Sequence, residues 1–157
     1  MNDVQGSKRR LTSRLLHVGR QWRRLAETEL AAHDISEAVA SPLVWLKRLG
    51  GGVRQVTLAS HVGIQGTSLV RLLDQLCDAG LVVRRDDPAD RRTKTLWLTA
   101  AGEQLAERIE RAIAQLRAQV FTDVSEEDIA ATHRVLDAIE HAHAHLQQET
   151  VLLETDT

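Results

Sequence analysis

Between residues 57 and 99 the apolar positions shift from a helical period to a strand-like alternation. Leu69, Leu72, Leu73 and Leu76 recur at helical spacing, which predicts a helix over residues 65–79 with one apolar face. Gly80 closes it, as a residue that turns left-handed at no steric cost. Upstream, residues 57–62 predict a short helix with Thr57 as its N-cap and Gly63 at its end. Two helices joined by a tight turn containing glycine form a helix-turn-helix. Downstream, Leu81-Val82-Val83 and Thr95-Leu96-Trp97-Leu98 read as short strands rich in β-formers. Residues 84–94 between them predict a charged loop punctuated by Pro88, so the pair is a hairpin beside the second helix, a wing.

The flanks repeat apolar residues over longer distances. Residues 1–8 carry no stripe and read as a disordered arm. Leu11, Leu15, Val18, Trp22 and Leu25 predict a helix over residues 9–32. Asp34 or Ser36 caps a helix over 37–49, in which Pro42 predicts a restart near Ser41 or a kink. Gly50, Gly51 and Gly52 end that helix in a loop, and residues 54–56 read as a minimal third strand. Thr99 caps a helix over 100–120 with a stripe at Leu105, Ile109, Ala112, Ile113, Leu116 and Val120. Ser125, followed by three acidic residues, caps a helix over 126–148 whose stripe is Ile129, Val135, Leu136, Ile139 and Leu146, and the tail 149–157 is expected to fray.

The expected fold is mainly α with a small β-hairpin wing: a winged helix-turn-helix over residues 35–98 and a helical dimerisation region over 9–33 and 99–148. The terminal helices are too long for one small winged helix to cover their stripes, so a homodimer is expected.

Charge changes the picture of partners. The net charge of −2 does not suggest a nucleic-acid binder, but its distribution does. Residues 1–30 hold 7 Lys/Arg against 3 Asp/Glu and residues 54–97 hold 7 against 5, whereas residues 98–157 hold 4 against 12. Phosphate affinity follows the local field rather than the total. One cysteine excludes an intrachain disulfide framework. No apolar run approaches a membrane span of roughly 18 residues, and no apolar segment follows the basic N-terminus as in a secretory signal. A reducing cytoplasm is the simplest home.

Gln65, Gly66, Thr67, Ser68 and Arg71 fall in the first turns of the second helix, where side chains that enter a major groove read base edges. Gly66 keeps the backbone close to DNA, Thr67 and Ser68 bond phosphate or bases at a helix N-terminus, and Arg71 can reach guanine bidentately. Arg91, Arg92 and Lys94 sit at the wing tip, suited to the negative potential of a narrow minor groove. Arg84 and Arg85 either neutralise phosphates or pair with Asp86 and Asp87, and the sequence leaves the two readings even.

L-V-R-L-L-D-Q-L-x-x-A-G-L-V-x-R, followed by D-P-A-D-R-R and x-L-x-L-T-x-x-G, resembles the MarR family of bacterial winged-helix regulators. The motif G-I-x-x-x-S-L-V-R-x-L-D-Q-L followed by D-R-R is more similar still to the SlyA subgroup, and the specific part covers residues 54–102. The resemblance implies a dimer with two-fold symmetry. It also implies that the second arginine of D-R-R, here Arg92, is braced by carboxylates at Asp74 and Asp90. It further implies an effector pocket between the dimer helices and the winged helix, taking small aromatic carboxylates or phenols. Trp22 and Trp45 are the candidate walls, with Arg20 or His33 as the polar handle, and no other cofactor is expected. Ala40 stands where SlyA-like proteins carry a bulky aromatic, which would widen that pocket.

The function expected is that of a dimeric, sequence-specific DNA-binding transcription regulator. It would be a ligand-responsive repressor on a pseudo-palindromic operator, with anti-silencing activation as a second mode. Two alternatives stand beside it. One is a winged-helix protein-interaction module without DNA binding. The other is a metal-responsive regulator, since His141 and His145 are spaced i,i+4 with Asp137 one turn earlier and His133 and His143 on the same helix. No nucleophile motif, phosphate loop or HExxH pattern suggests an enzyme. Cys77 lies on the second helix, and small-hydrophobe packing is the simpler use for it than redox sensing.

Overall fold

The computed structural model describes residues 3–64, 67–87 and 90–155, and of these the side chains of 91–92 and 147–155 are outside the description. Six helices and three strands follow in the order α1 (Val4–Ala31), α2 (Glu37–Arg48), β1 (Val53–Arg54), α3 (Gln55–Val62), α4 (Thr67–Asp78), β2 (Val82–Asp87), β3 (Asp90–Leu98), α5 (Ala100–Val120) and α6 (Glu126–Thr155). The chain divides into two units, Met1–Ala118 and Gln119–Thr157.

In the first unit, Leu69, Leu73 and Leu76 of α4 are at most 1% exposed and join Leu43 and Leu46 of α2, Leu58 of α3 and Ile109 of α5 in one core. Burying a leucine of this kind is worth about 1.5–3 kcal/mol relative to leaving it in water. The end of α4 follows the glycine rule: Gly80 has φ 68° and the Leu81 N–H donates to the Leu76 carbonyl at 2.9 Å. Thr99 then ties the base of the wing to α5. Its hydroxyl donates to the Gly80 carbonyl at 2.6 Å and accepts from the Gly102 N–H at 3.0 Å. Gly102 is required there, because a Cβ would stand 2.0 Å from the Leu81 carbonyl oxygen.

The sheet is antiparallel in the order β1-β3-β2. Val53 pairs with Leu96 and Arg54 with Thr95 on one side of β3, and Val82 to Asp86 pair with Leu98 to Lys94 on the other. Val53, Val82 and Leu96 face the core and are buried, so the alternate residues Arg54, Arg85, Thr95 and Trp97 share the opposite face.

Several boundaries differ from the sequence expectation. Helix α1 begins at Val4 rather than residue 9, because Asp3 caps it: its carboxylate accepts from the Gly6 N–H at 2.7 Å. Helix α2 runs unbroken through Pro42, whose ring is buried, with Ser36 accepting from Val39 N–H at 3.4 Å as the cap. Helix α3 starts at Gln55, directly from β1, so Thr57 lies inside it and is not a cap; Gln55 and Val56 are accordingly helical rather than strand. The wing strands run to Asp87 and from Asp90, through residues expected to be loop. Asp86 meets Lys94 across the ladder, while Asp87 and Arg84 find opposite charges on β1 and α4, so these charges are accommodated in a strand as well as in a loop.

In the second unit, the Ser125 hydroxyl is the expected cap: it accepts from the Asp128 N–H at 3.1 Å and donates to the Asp128 carboxylate at 2.7 Å. Helix α6 continues to Thr155, beyond the fraying point expected at residue 149. Among the described residues no helix is long and apolar enough to cross a membrane.

Candidate nucleic-acid interface

Helix α4 divides its residues sharply. Leu69, Leu73 and Leu76 enter the core, while Thr67, Ser68, Arg71, Asp74 and Gln75 are exposed on the other side. The helix therefore presents two hydroxyls in its first turn and a guanidinium one turn on, with the orphan N–H groups of the N-terminus beside them. Gln65 and Gly66, expected to lead this face, lie outside the described residues.

The wing is organised by pairing. Arg84, on the core face of β2, reaches α4 and lies 2.7 Å from Asp74. Asp74 thus holds Arg84, and the bracing expected of it for Arg92 concerns a side chain outside the description. Asp90 accepts from the Thr93 hydroxyl at 3.0 Å. Lys94, expected at the wing tip, is paired with Asp86 across the ladder. Arg54 reaches Asp87 at 2.9 Å, which fastens the wing to the strand that enters α3. Arg91 is likewise described in its backbone only, on β3.

Trp97 is the wing residue whose role the sequence did not reveal. Its indole N–H donates to the Thr95 hydroxyl at 3.0 Å, and the Arg85 guanidinium lies 5.2 Å from its ring centroid. Gly51 and Gly52 have φ of 78° and 66° and lie so close to the ring that a Cβ on either would come within 2.6 or 3.0 Å of it. The glycine triplet is thus a fitted cover for Trp97 as well as a turn. A tryptophan on the strand face opposite Leu96, with a glycine run nearby, was the available signal.

The four effector-pocket candidates have three different surroundings. Trp45 packs on His61 at 4.7 Å between ring centroids and under Arg48 at 5.5 Å. His33 sits 3.5 Å from Glu29. Arg20 lines an open groove along α1 with Leu15, Leu16, Gly19, Arg23 and Glu27, and Trp22 is half-buried on the same helix. Ala40 is buried in the core. Cys77 is half-buried and packs against the core. His141 uses Nδ1 on the Asp137 backbone carbonyl at 2.7 Å, and among the described residues no three His, Cys, Asp or Glu side chains converge into a metal-holding group.

Helix α5 is bound to α2 by a ladder of charges. Lys47 meets Glu107 at 3.0 Å and Glu103 at 3.1 Å, and Arg48 meets Glu110 at 2.9 Å. The hydrogen bonds it donates to Glu107 and Glu103 raise the Lys47 ammonium above its ordinary value, and Lys47 in turn holds the Glu107 carboxyl below its own.

A two-helix reader with an amphipathic second helix, flanked by a paired, cationic hairpin, defines a winged-helix protein of the DNA-binding type. Residues 33–93 match the MarR family model. The solved structure of transcriptional regulator PA3341 is 32% identical, with a TM-score of 0.79 over 86% of this chain and 98% of that one. CouR from Rhodococcus jostii RHA1, solved with p-coumaroyl-CoA, is 26% identical with a TM-score of 0.71 over 80% and 87%. A MarR cysteine mutant from E. coli, solved with operator DNA, shares the fold at 22% identity and a TM-score of 0.70 over 88% and 99%. The chain belongs to the MarR family of transcription regulators.

Proposed function

We propose that this chain acts as a homodimeric, sequence-specific DNA-binding regulator of the SlyA-like kind, working in the cytoplasm. The observation that carries the reading is the exposed Thr67, Ser68 and Arg71 face of α4, opposite a fully buried leucine face and beside a hairpin bearing Arg91 and Arg92. Each protomer would lay α4 in a major groove and its wing tip in the flanking minor groove. Residues 9–33 and 99–148 would form the dimer. Support comes from Leu11, Val18 and Leu25 of α1 and Ile129, Val135, Leu136 and Ile139 of α6, all exposed in the single chain. Apolar stripes of that length belong against a second copy.

Repression follows if the dimer occupies an operator and blocks polymerase; the same occupancy relieves silencing where it displaces a nucleoid protein. A small aromatic carboxylate or phenol would act by favouring a dimer geometry whose α4 spacing mismatches the site. The aromatic acyl-CoA carried by CouR supports an aromatic class of effector. Arg92→Ala tests the reading. Binding to a duplex from the chain's own upstream region, measured by fluorescence anisotropy, should weaken by about tenfold or more, as removing a groove contact worth ~1–3 kcal/mol allows. The dimer should persist. Unchanged affinity at physiological salt would refute the wing's role.

A further inference from the structure

Arg54, Arg84, Arg85 and Lys94 carry described cationic side chains on the wing and the strand that supports it. Three are matched to a carboxylate of the same chain: Arg54 to Asp87, Arg84 to Asp74 and Lys94 to Asp86. Arg85 is held differently. Its guanidinium lies over the Trp97 ring, and among the described residues no carboxylate pairs with it. Stacking on an aromatic face fixes the plane of a guanidinium while leaving its charge and its edge N–H donors in place. The support is itself rigid, because Thr95 takes the indole N–H and the backbone of Gly51 and Gly52 presses on the ring. An exposed arginine is thus set in one orientation with its charge uncancelled, which lowers the rotamer entropy lost when it grips an anion.

Its height on the hairpin indicates the anion. Arg85 pairs with Thr95, two residues behind Asp87, the last paired residue of β2. At ~3.3 Å per residue that is about 7 Å along the strand. The minor groove of B-DNA is about 7.5 Å deep, with phosphates along both rims. A hairpin that inserts as far as the end of its paired ladder therefore brings Arg85 to about the level of the rim. Lys94 and Asp86, one rung nearer the tip, present a neutralised pair there.

We propose that Arg85, seated on Trp97, grips a DNA phosphate at the rim of the groove that receives the wing tip. The inference rests on the DNA-binding reading above. A phosphate contact sets register and affinity but carries no sequence information. Arg85→Ala should therefore weaken binding to a selected duplex and to a random-sequence duplex by the same factor. The slope of log K against log salt should fall by about 1 per wing, hence by about 2 in a two-wing complex. Arg85→Lys, which keeps the charge, should restore the slope. Titration of wild type, Arg85→Ala and Arg85→Lys across a salt series on both duplexes decides the matter. An Arg85→Ala slope equal to that of wild type, or an Arg85→Lys slope as low as that of Arg85→Ala, overturns the inference while the DNA-binding reading stands. A wild type that binds neither duplex overturns both.

Discussion

Helices α4 and α6 both repeat apolar residues at helical spacing, yet Leu69, Leu73 and Leu76 of α4 are at most 1% exposed whereas Ile129, Val135, Leu136 and Ile139 of α6 are 36–43% exposed. The stripe of α4 is met within its own chain by α2, α3 and α5, and the polar residues on its far side are released for work outside. The stripe of α6 is left facing outward by the single chain. One periodicity thus serves two purposes. In α4 it anchors the exposed face of Thr67, Ser68 and Arg71, and in α6 it leaves an apolar face that we propose is covered by a second copy.

The largest expected effect separates those two purposes. Leu73→Ala should cost about 2–5 kcal/mol of stability, read by urea denaturation, because it opens a cavity among fully buried neighbours. Ile139→Ala should leave the unfolding of the winged helix unchanged and instead raise the dimer dissociation constant, read by sedimentation equilibrium. If Ile139→Ala destabilised the fold as much as Leu73→Ala, the two stripes would be equivalent and the contrast would fail.

A second test asks how firmly the reading unit is set on α5. Gly102→Ala would drive a methyl group into the Leu81 carbonyl, a backbone atom with no side-chain freedom to yield. A loss of about 1–3 kcal/mol is expected, seen as a lower unfolding midpoint. An unchanged midpoint would mean that the junction between wing and α5 is looser than the Thr99 hydrogen bonds indicate.

The smallest effect concerns the charges between α2 and α5. Lys47 lowers the Glu107 pKa, so the pair's contribution is complete above the ordinary carboxylate value of 4.5 and is lost as pH falls through the lowered value. The Lys47 ammonium is raised above 10.5, so its share holds below that value and disappears as pH rises through the raised one. Glu107→Gln should therefore differ slightly from wild type in thermal midpoint at neutral pH, and the difference should shrink as pH falls below 4.5 and vanish below the lowered value. A difference that survives acid would assign the effect to packing instead.

Much of the reading unit was legible in the sequence because local chemistry and tertiary demand agree there. The leucines of α4, the stop at Gly80 and the cap at Thr99 each follow from one local rule, as does the cap at Ser125 in the second unit. Elsewhere the local rule was outweighed. Thr57 has the chemistry of a cap, but β1 delivers the chain into α3 two residues earlier. Residues 84–87 have the composition of a loop, but partners on β1, β3 and α4 neutralise Arg84, Asp86 and Asp87, the Trp97 ring seats Arg85, and the strand continues. The match of Arg84 to Asp74 and the seat of Arg85 on Trp97 depend on strand register, which spacing along the chain does not give.

The most direct measurement is the stoichiometry and footprint of the complex on duplexes selected from a random-sequence library. The expected result is two protomers per duplex, protecting two related half-sites centred about one helical turn apart, roughly 10–10.5 base pairs, or a multiple of that. A single protomer per duplex, or equal affinity for every duplex offered, would contradict the paired-reader account of this chain.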